Sequence, residues 1–169
     1  MSKKKPRETF TTMTEMVLPN DTNTLNNLMG GRLMHWMDII AGVSAQRHSN
    51  YVVVTASVDN ISFSKPIKLG NIVTLNAVVT RAFTTSMEIF IEVFAEDIPN
   101  KTKFKSHEAF LTFVAINKDG KPVSVPELIP ETDEEKKLFE SALRRRQLRL
   151  LMAGKIKFDD APELKSLFV

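Results

Sequence analysis

The 169-residue chain contains no cysteine. That absence excludes a disulfide framework, a thiolate zinc or iron–sulfur centre and a cysteine nucleophile, and it points to a reducing, cytoplasmic setting. Long apolar runs are missing too. Nothing approaches the ~18 residues of a membrane span, and the basic start MSKKKPRETF is followed by no apolar signal region. The 6 glycines form no Walker or dinucleotide motif. Charge of one sign is also scarce: 23 Lys and Arg stand against 20 Asp and Glu, a net charge of +3, so the balance calls for no nucleic-acid partner. What remains is an ordinary globular composition, 43% hydrophobic and 25% charged. A chain of this length buries roughly 70% of its unfolded surface as one domain.

Thr, Val and Met over residues 8–18 predict a first strand, closed by Pro19-Asn20-Asp21 and followed by a polar loop to residue 29. Gly30-Gly31 opens a helix with Leu33, Met34, Met37, Ile40, Ala41 and Ser44 at helical spacing and Trp36, Ile39 and Val43 on another side. Apolar groups nearly all round describe a helix buried in the middle of a domain. Segments 51–63, 71–83, 86–97 and 104–117 then alternate with period 2. In the first, Val52, Val54, Ala56 and Val58 share a face while Ile61 and Phe63 fall on the other, which predicts a bulge near Asp59-Asn60. The fourth is apolar on both faces and ends at the turn Lys118-Asp119-Gly120.

Pro122, Pro126 and Pro130 keep the next stretch extended, and Thr132 with Glu135 forms a capping box for a helix to about residue 152. Acids open that helix and arginines close it, as its dipole favours. Residues 1–7 read as a flexible, solvated basic start and 153–169 as a C-terminal tail that either docks or stays free. The order predicts a single α+β domain over 8–152, an antiparallel sheet wrapped around one central helix. One helix covers only one sheet face, so a second chain is expected on the other: a homo-oligomer.

Asp38 lies between Met37 and Ile39 in the most apolar helix, where a carboxylate is expected to be buried, hydrogen-bonded for structure or kept for chemistry. The Gly30-Gly31 pair puts unobstructed N–H groups at a helix start, suited to an oxyanion or phosphate or to a tight turn. Asn23, in the loop before it, can position water or a carbonyl, or cap a turn. His35, His48 and His107 are isolated, so neither a metal site nor a Ser-His-Asp constellation is assembled. Arg144, Arg145, Arg146 and Arg149 form either a solvated helix face or an anion site.

These residues resemble a known pattern. Asn20-Asp21-Thr22-Asn23, Asn27-Leu28-Met29-Gly30-Gly31, Leu33-Met34-His35-Trp36-Met37-Asp38 and Thr55-Ala56-Ser57-Val58-Asp59 look like the hotdog-fold acyl-CoA thioesterases of the cytosolic and bacterial type. Val79 to Ile89 and Pro126 to Thr132 look like the same family, so the resemblance spans roughly residues 10–150. It implies a hotdog fold and hydrolysis of fatty acyl-CoA to free acid and CoA, with no metal or redox cofactor.

By the same resemblance, Asn23 orients water or the carbonyl, and Asp38 is general base or nucleophile. The Gly31 N–H would stabilise the oxyanion. Ala56, Ser57 and Val58, Thr85, Ser86 and Met87, and the basic pair Arg145 and Arg146 would contact CoA. The two catalytic residues of one site would come from different hotdog units of a dimer, and a trimer of dimers is common in the family. Two other readings stand beside it. A hotdog hydratase would pair the helix acid with a histidine, and an acyl-CoA sensor would bind without turnover.

Overall fold

The computed structural model describes residues 2–59, 61–63 and 65–168. Five strands, β1 (Thr11–Met16), β2 (Val52–Val58), β3 (Ile72–Ala82), β4 (Ser86–Asp97) and β5 (Thr102–Ile116), form one antiparallel sheet in the order β1-β3-β4-β5-β2. Helix α1 (Gly30–Ser49) lies along one face, α2 (Asp133–Met152) packs on the other, and a short α3 (Pro162–Lys165) follows.

Alternation places the core. Leu75, Ala77 and Val79 of β3, Met87, Ile89, Ile91 and Val93 of β4, and Leu111, Phe113 and Ala115 of β5 all point toward α1, which answers with Leu33, Trp36, Met37, Ile40 and Ala41. Each of the Val, Leu, Ile, Met and Phe side chains contributes about 1.5–3 kcal/mol through burial. The sheet thus wraps one side of α1, as the sequence predicts for an α+β domain with a central helix. The opposite side of α1 stays open: Met34, Ile39 and Val43 are exposed at 39%, 45% and 39%. Apolar residues all round α1 therefore reflect one covered face and one bare one.

Two expectations change. The bulge of β2 falls at Ala56, where pairing with β5 jumps from Thr55–Phe113 to Ser57–Thr112, and not at Asp59-Asn60. Asn60 itself lies outside the described residues. Val52 and Val54 therefore share one sheet face, while Val58, paired with Leu111, has crossed to the other.

The basic start is not a frayed tail. Pro6 is buried, Lys4 N–H donates to Glu127 O at 2.9 Å, and Ile129 N–H donates to Lys4 O at 2.8 Å. Ion pairs Lys3–Glu127 and Lys5–Glu131 flank this bridge. Residues beyond 153 also dock: Ala161 and Leu164 are buried, and Leu164 N–H donates to Gln147 Oε1 of α2 at 3.0 Å.

Both capping expectations on α2 hold. Glu135 N–H donates to Thr132 Oγ1 at 3.2 Å, and Thr132 N–H donates back to the Glu135 carboxylate at 3.0 Å.

Candidate active site

The loop before α1 is built by its own polar side chains. Asp21, nearly buried, accepts from Leu18 N–H at 2.9 Å and pairs with Arg32 in the first turn of α1 at 3.0 Å, which ties the loop to the helix start. Asn23 Oδ1 accepts from Leu25 N–H at 2.9 Å and Asn27 N–H at 3.2 Å. This turn fixes the amide orientation and leaves Nδ2, which has no acceptor among the described residues, as the group able to donate to a ligand. Leu28 N–H to Ile67 O at 2.7 Å and Leu69 N–H to Asn26 O at 2.9 Å hold the loop against the segment before β3.

Helix α1 starts with Met29 extended and without a side-chain cap. The first intrahelical bonds run from Arg32 and Leu33 to Met29 O, so the N–H groups of Gly30 and Gly31 have no backbone acceptor at the positive end of a 20-residue helix. A Cβ on Gly31 would meet nothing within 4 Å, so space for an approaching oxygen is open beside that N–H. Asn23, Gly30, Leu33, Ile67, Lys65 and His107 line a cavity of about 310 Å³ at this end of the helix.

Asp38 is two turns further on, and it is exposed rather than buried. The reason is the open side of α1 described above, on which Met34, His35, Asp38, Ile39 and Val43 are all exposed. Thr55 Oγ1 donates to Asp38 Oδ1 at 2.6 Å. Thr55 is the last residue of β2 paired before the Ala56 bulge and faces α1 opposite Phe113, which sets its hydroxyl against the helix. Sequence reasoning did not single out Thr55 as a site residue. Thr55 is one of two hydroxyls in the run VVVTASV, and which of them meets α1 depends on register. Within one chain Asp38 does not line the cavity of Asn23.

The expected CoA-contact segments come together only in part. Ser86 and Val54 both pair with Val114, so the start of β4 and the Thr55–Ser57 stretch lie two strands apart in neighbouring rows. Ala56 is exposed, Thr85, Ser57 and Ser86 are half-buried, and Val58 is exposed at 41%. The Met87 side chain is fully buried in the core, which leaves that position its backbone alone.

Arg145 is committed elsewhere: Nε and Nη2 donate to the buried Glu88 carboxylate at 3.0 and 2.8 Å, further bonds reach Ser141 and Leu138 O, and the guanidinium stacks 3.9 Å from the Phe110 ring centre. Arg146 stacks on Phe83 at 4.3 Å and forms no ion pair among the described residues. Burial, then neighbouring Arg149, lowers its hold on its proton. Of the two arginines, Arg146 is the one left for an anion.

Three of the expected isolated groups are histidines. His35 is exposed on α1. His48 is fully buried and its Nε2–H donates to Pro126 O at 2.7 Å. Burial pulls the pKa of His107 down. No cluster of three potential metal ligands occurs among the described residues, nor a helix long and apolar enough to cross a membrane.

Residues 25–101 match the family model of the Thioesterase superfamily. The chain is 43% identical over 139 residues to an uncharacterized acyl-CoA thioester hydrolase of Bacillus subtilis, covering 82% of this chain and 81% of that protein. Its fold matches the crystal structure of an apo-hexameric acyl-CoA thioesterase with a TM-score of 0.87 and 36% identity, over 90% of this chain and 98% of that one. An acyl-CoA hydrolase from Staphylococcus aureus, solved with butyryl coenzyme A, coenzyme A and coenzyme A disulfide, gives a TM-score of 0.83 at 36% identity, over 91% and 96% of the two chains. That enzyme has also been solved as alanine variants of one aspartate, one threonine and one asparagine.

Proposed function

The chain belongs to the acyl-CoA thioester hydrolases of the hotdog-fold thioesterase superfamily, and from that premise we propose that it cleaves fatty acyl-CoA at a site made by Asn23, Gly31, Asp38 and Thr55. The observation that carries this reading is the 2.6 Å bond from Thr55 to Asp38 on an exposed helix face. One carboxylate oxygen is held while the other stays free for water. In support, the asparagine, aspartate and threonine substituted in the S. aureus enzyme are 15 and 17 residues apart, the spacing of Asn23, Asp38 and Thr55.

In the proposed step, ionised Asp38 takes a proton from water as the water oxygen bonds to the thioester carbon. The carbonyl oxygen gains negative charge opposite the Gly31 N–H and the positive end of α1. Asn23 Nδ2 donates to the water or carbonyl. The C–S bond then breaks, the sulfur leaves with its electron pair and is protonated, and the products are free acid and CoA. Direct attack by Asp38 would form a mixed anhydride that water then opens. Neither route draws on a metal or redox cofactor.

A second copy completes the site in this reading. Asp38 stands among exposed Met34, Ile39 and Val43, beside the open edge strand β2, whose Val58, on the α1 side of the sheet, is exposed at 41%. A partner laid along this face would cover those apolar groups and bring its own helix start, with Asn23, toward Asp38. The hexameric relative supports an oligomer of this kind.

Free-thiol release from short, medium and long acyl-CoA, with Asp38→Ala as control, tests the proposal. Release that depends on Asp38 is expected. Undiminished release by Asp38→Ala would exclude the assigned base.

A further inference from the structure

The cavity beside Asn23 contains a group that the proposed chemistry does not use. His107 is 6% exposed, and neither ring nitrogen has a hydrogen-bond partner among the described residues. A local irregularity puts it there: pairing of β4 with β5 shifts between Val93 and Phe94, so Ser106 is inserted as a bulge and Ser106 and His107 are both buried in succession. Ser106 finds an acceptor in Val93 O at 3.1 Å, while the His107 ring packs against Phe63 with centroids 5.3 Å apart.

Buried polar groups without partners are costly and few in folded proteins. Two on one ring, at the wall of a cavity that also reaches a helix start, mark a place where a ligand supplies the partner. The remaining walls divide. Leu28, Leu33 and Ile67 are apolar, whereas Lys65 forms no ion pair among the described residues, and no carboxylate lines the cavity. Burial pulls the imidazole pKa down, which favours the uncharged ring, a donor at one nitrogen and an acceptor at the other.

We propose that this cavity takes the acyl chain and that His107 is a specificity-determining residue, pairing with an oxygen carried near the far end of that chain. The inference rests on Asn23 marking the thioester. Entering there, an acyl group runs past Leu33 and Ile67 and ends against His107 and Lys65. The volume of about 310 Å³ holds roughly ten non-hydrogen atoms at ~30 Å³ each, which suits a chain of about six carbons with a polar end. A hydroxyl satisfies one ring nitrogen. A carboxylate accepts from the ring N–H and also meets the Lys65 charge.

Thiol release is measured with hexanoyl-CoA, 6-hydroxyhexanoyl-CoA and adipoyl-CoA, for the full chain, His107→Leu and His107→Gln. Affinities of the corresponding non-hydrolysable thioethers are measured by calorimetry. The oxygenated esters are expected to lose about tenfold or more in kcat/KM relative to hexanoyl-CoA in His107→Leu, with partial recovery in His107→Gln, which retains a donor and an acceptor. Lys65→Met separates the two ligands: only adipoyl-CoA should suffer. Equal losses on all three esters, or an unchanged ratio, would overturn the assignment. No thiol release from any ester, with His107-dependent discrimination among the thioethers intact, would overturn the hydrolytic reading and uphold the pocket.

Discussion

The two faces of the sheet treat a carboxylate in opposite ways. On the α2 side, Glu88 is 1% exposed and both its oxygens are engaged: two bonds come from Arg145 and one from Thr80, with Arg145 itself satisfied by Ser141, Leu138 O and the Phe110 ring. On the α1 side, Asp38 is exposed and receives a single bond from Thr55. A charge whose partners are all internal holds the fold, and one left half-satisfied on an open face is free to act on something else. Substitution separates these two roles.

The largest effect is expected at Asp38. Asp38→Ala should lower kcat by about 10²–10⁴, the usual worth of a general base, while shifting stability by only about 0.5 kcal/mol. Thiol release and a urea midpoint on the same preparation check both. Loss of activity together with a large fall in midpoint would mean that Asp38 holds structure as Glu88 does.

Next in size is the reverse outcome at the buried pair. Arg145→Ala strands the Glu88 carboxylate under α2 and should cost about 3–5 kcal/mol in urea denaturation, whereas Glu88→Leu with Arg145→Leu should cost much less, because no buried charge remains. If Arg145→Ala instead leaves stability intact and raises KM for acyl-CoA, Arg145 belongs to the ligand after all. A smaller effect is expected at Thr55→Val, which keeps shape and removes the hydroxyl that orients Asp38. About tenfold in kcat should be lost, with KM little changed, in steady-state thiol release.

How far this contrast was visible in the sequence depends on the range of the interactions involved. Local signals were legible: the α1 periodicity, the alternation of Met87, Ile89, Ile91 and Val93, and the Thr132–Glu135 cap each depend on residues a few positions apart. Asn23, Asp38 and Gly31 were legible through family resemblance rather than spacing. What was missed is non-local. Arg145 read as part of a solvated helix face or an anion site, because its partner Glu88 lies 57 positions away on another element. Lys3 and Lys5 read as a solvated tail because their acids, Glu127 and Glu131, lie more than a hundred residues on. Asp38 looked buried because the apolar stripe around it suits a partner as well as a core. The Ala56 bulge left no trace, since a small residue beside a hydroxyl disturbs no hydrophobic alternation.

The smallest expected effect concerns a buried ionisable group that belongs to neither carboxylate, and it checks that titration follows burial. His48 is fully buried at the end of α1, with Nε2–H on Pro126 O. Burial lowers its pKa most. The Pro126 bond opposes that, Lys4 adds to it, and Glu8 opposes again. In the unfolded chain the ring titrates near about 6.5. Below that pH the unfolded chain takes up a proton that native His48 resists, so its contribution is complete above about 6.5 and is lost as pH falls toward the lower native value. Urea midpoints should therefore fall between about pH 7.5 and 5.5, and His48→Gln should flatten that slope without abolishing it, since His107 is shifted the same way by burial. A slope unchanged by His48→Gln would show that the imidazole reaches water in the native state.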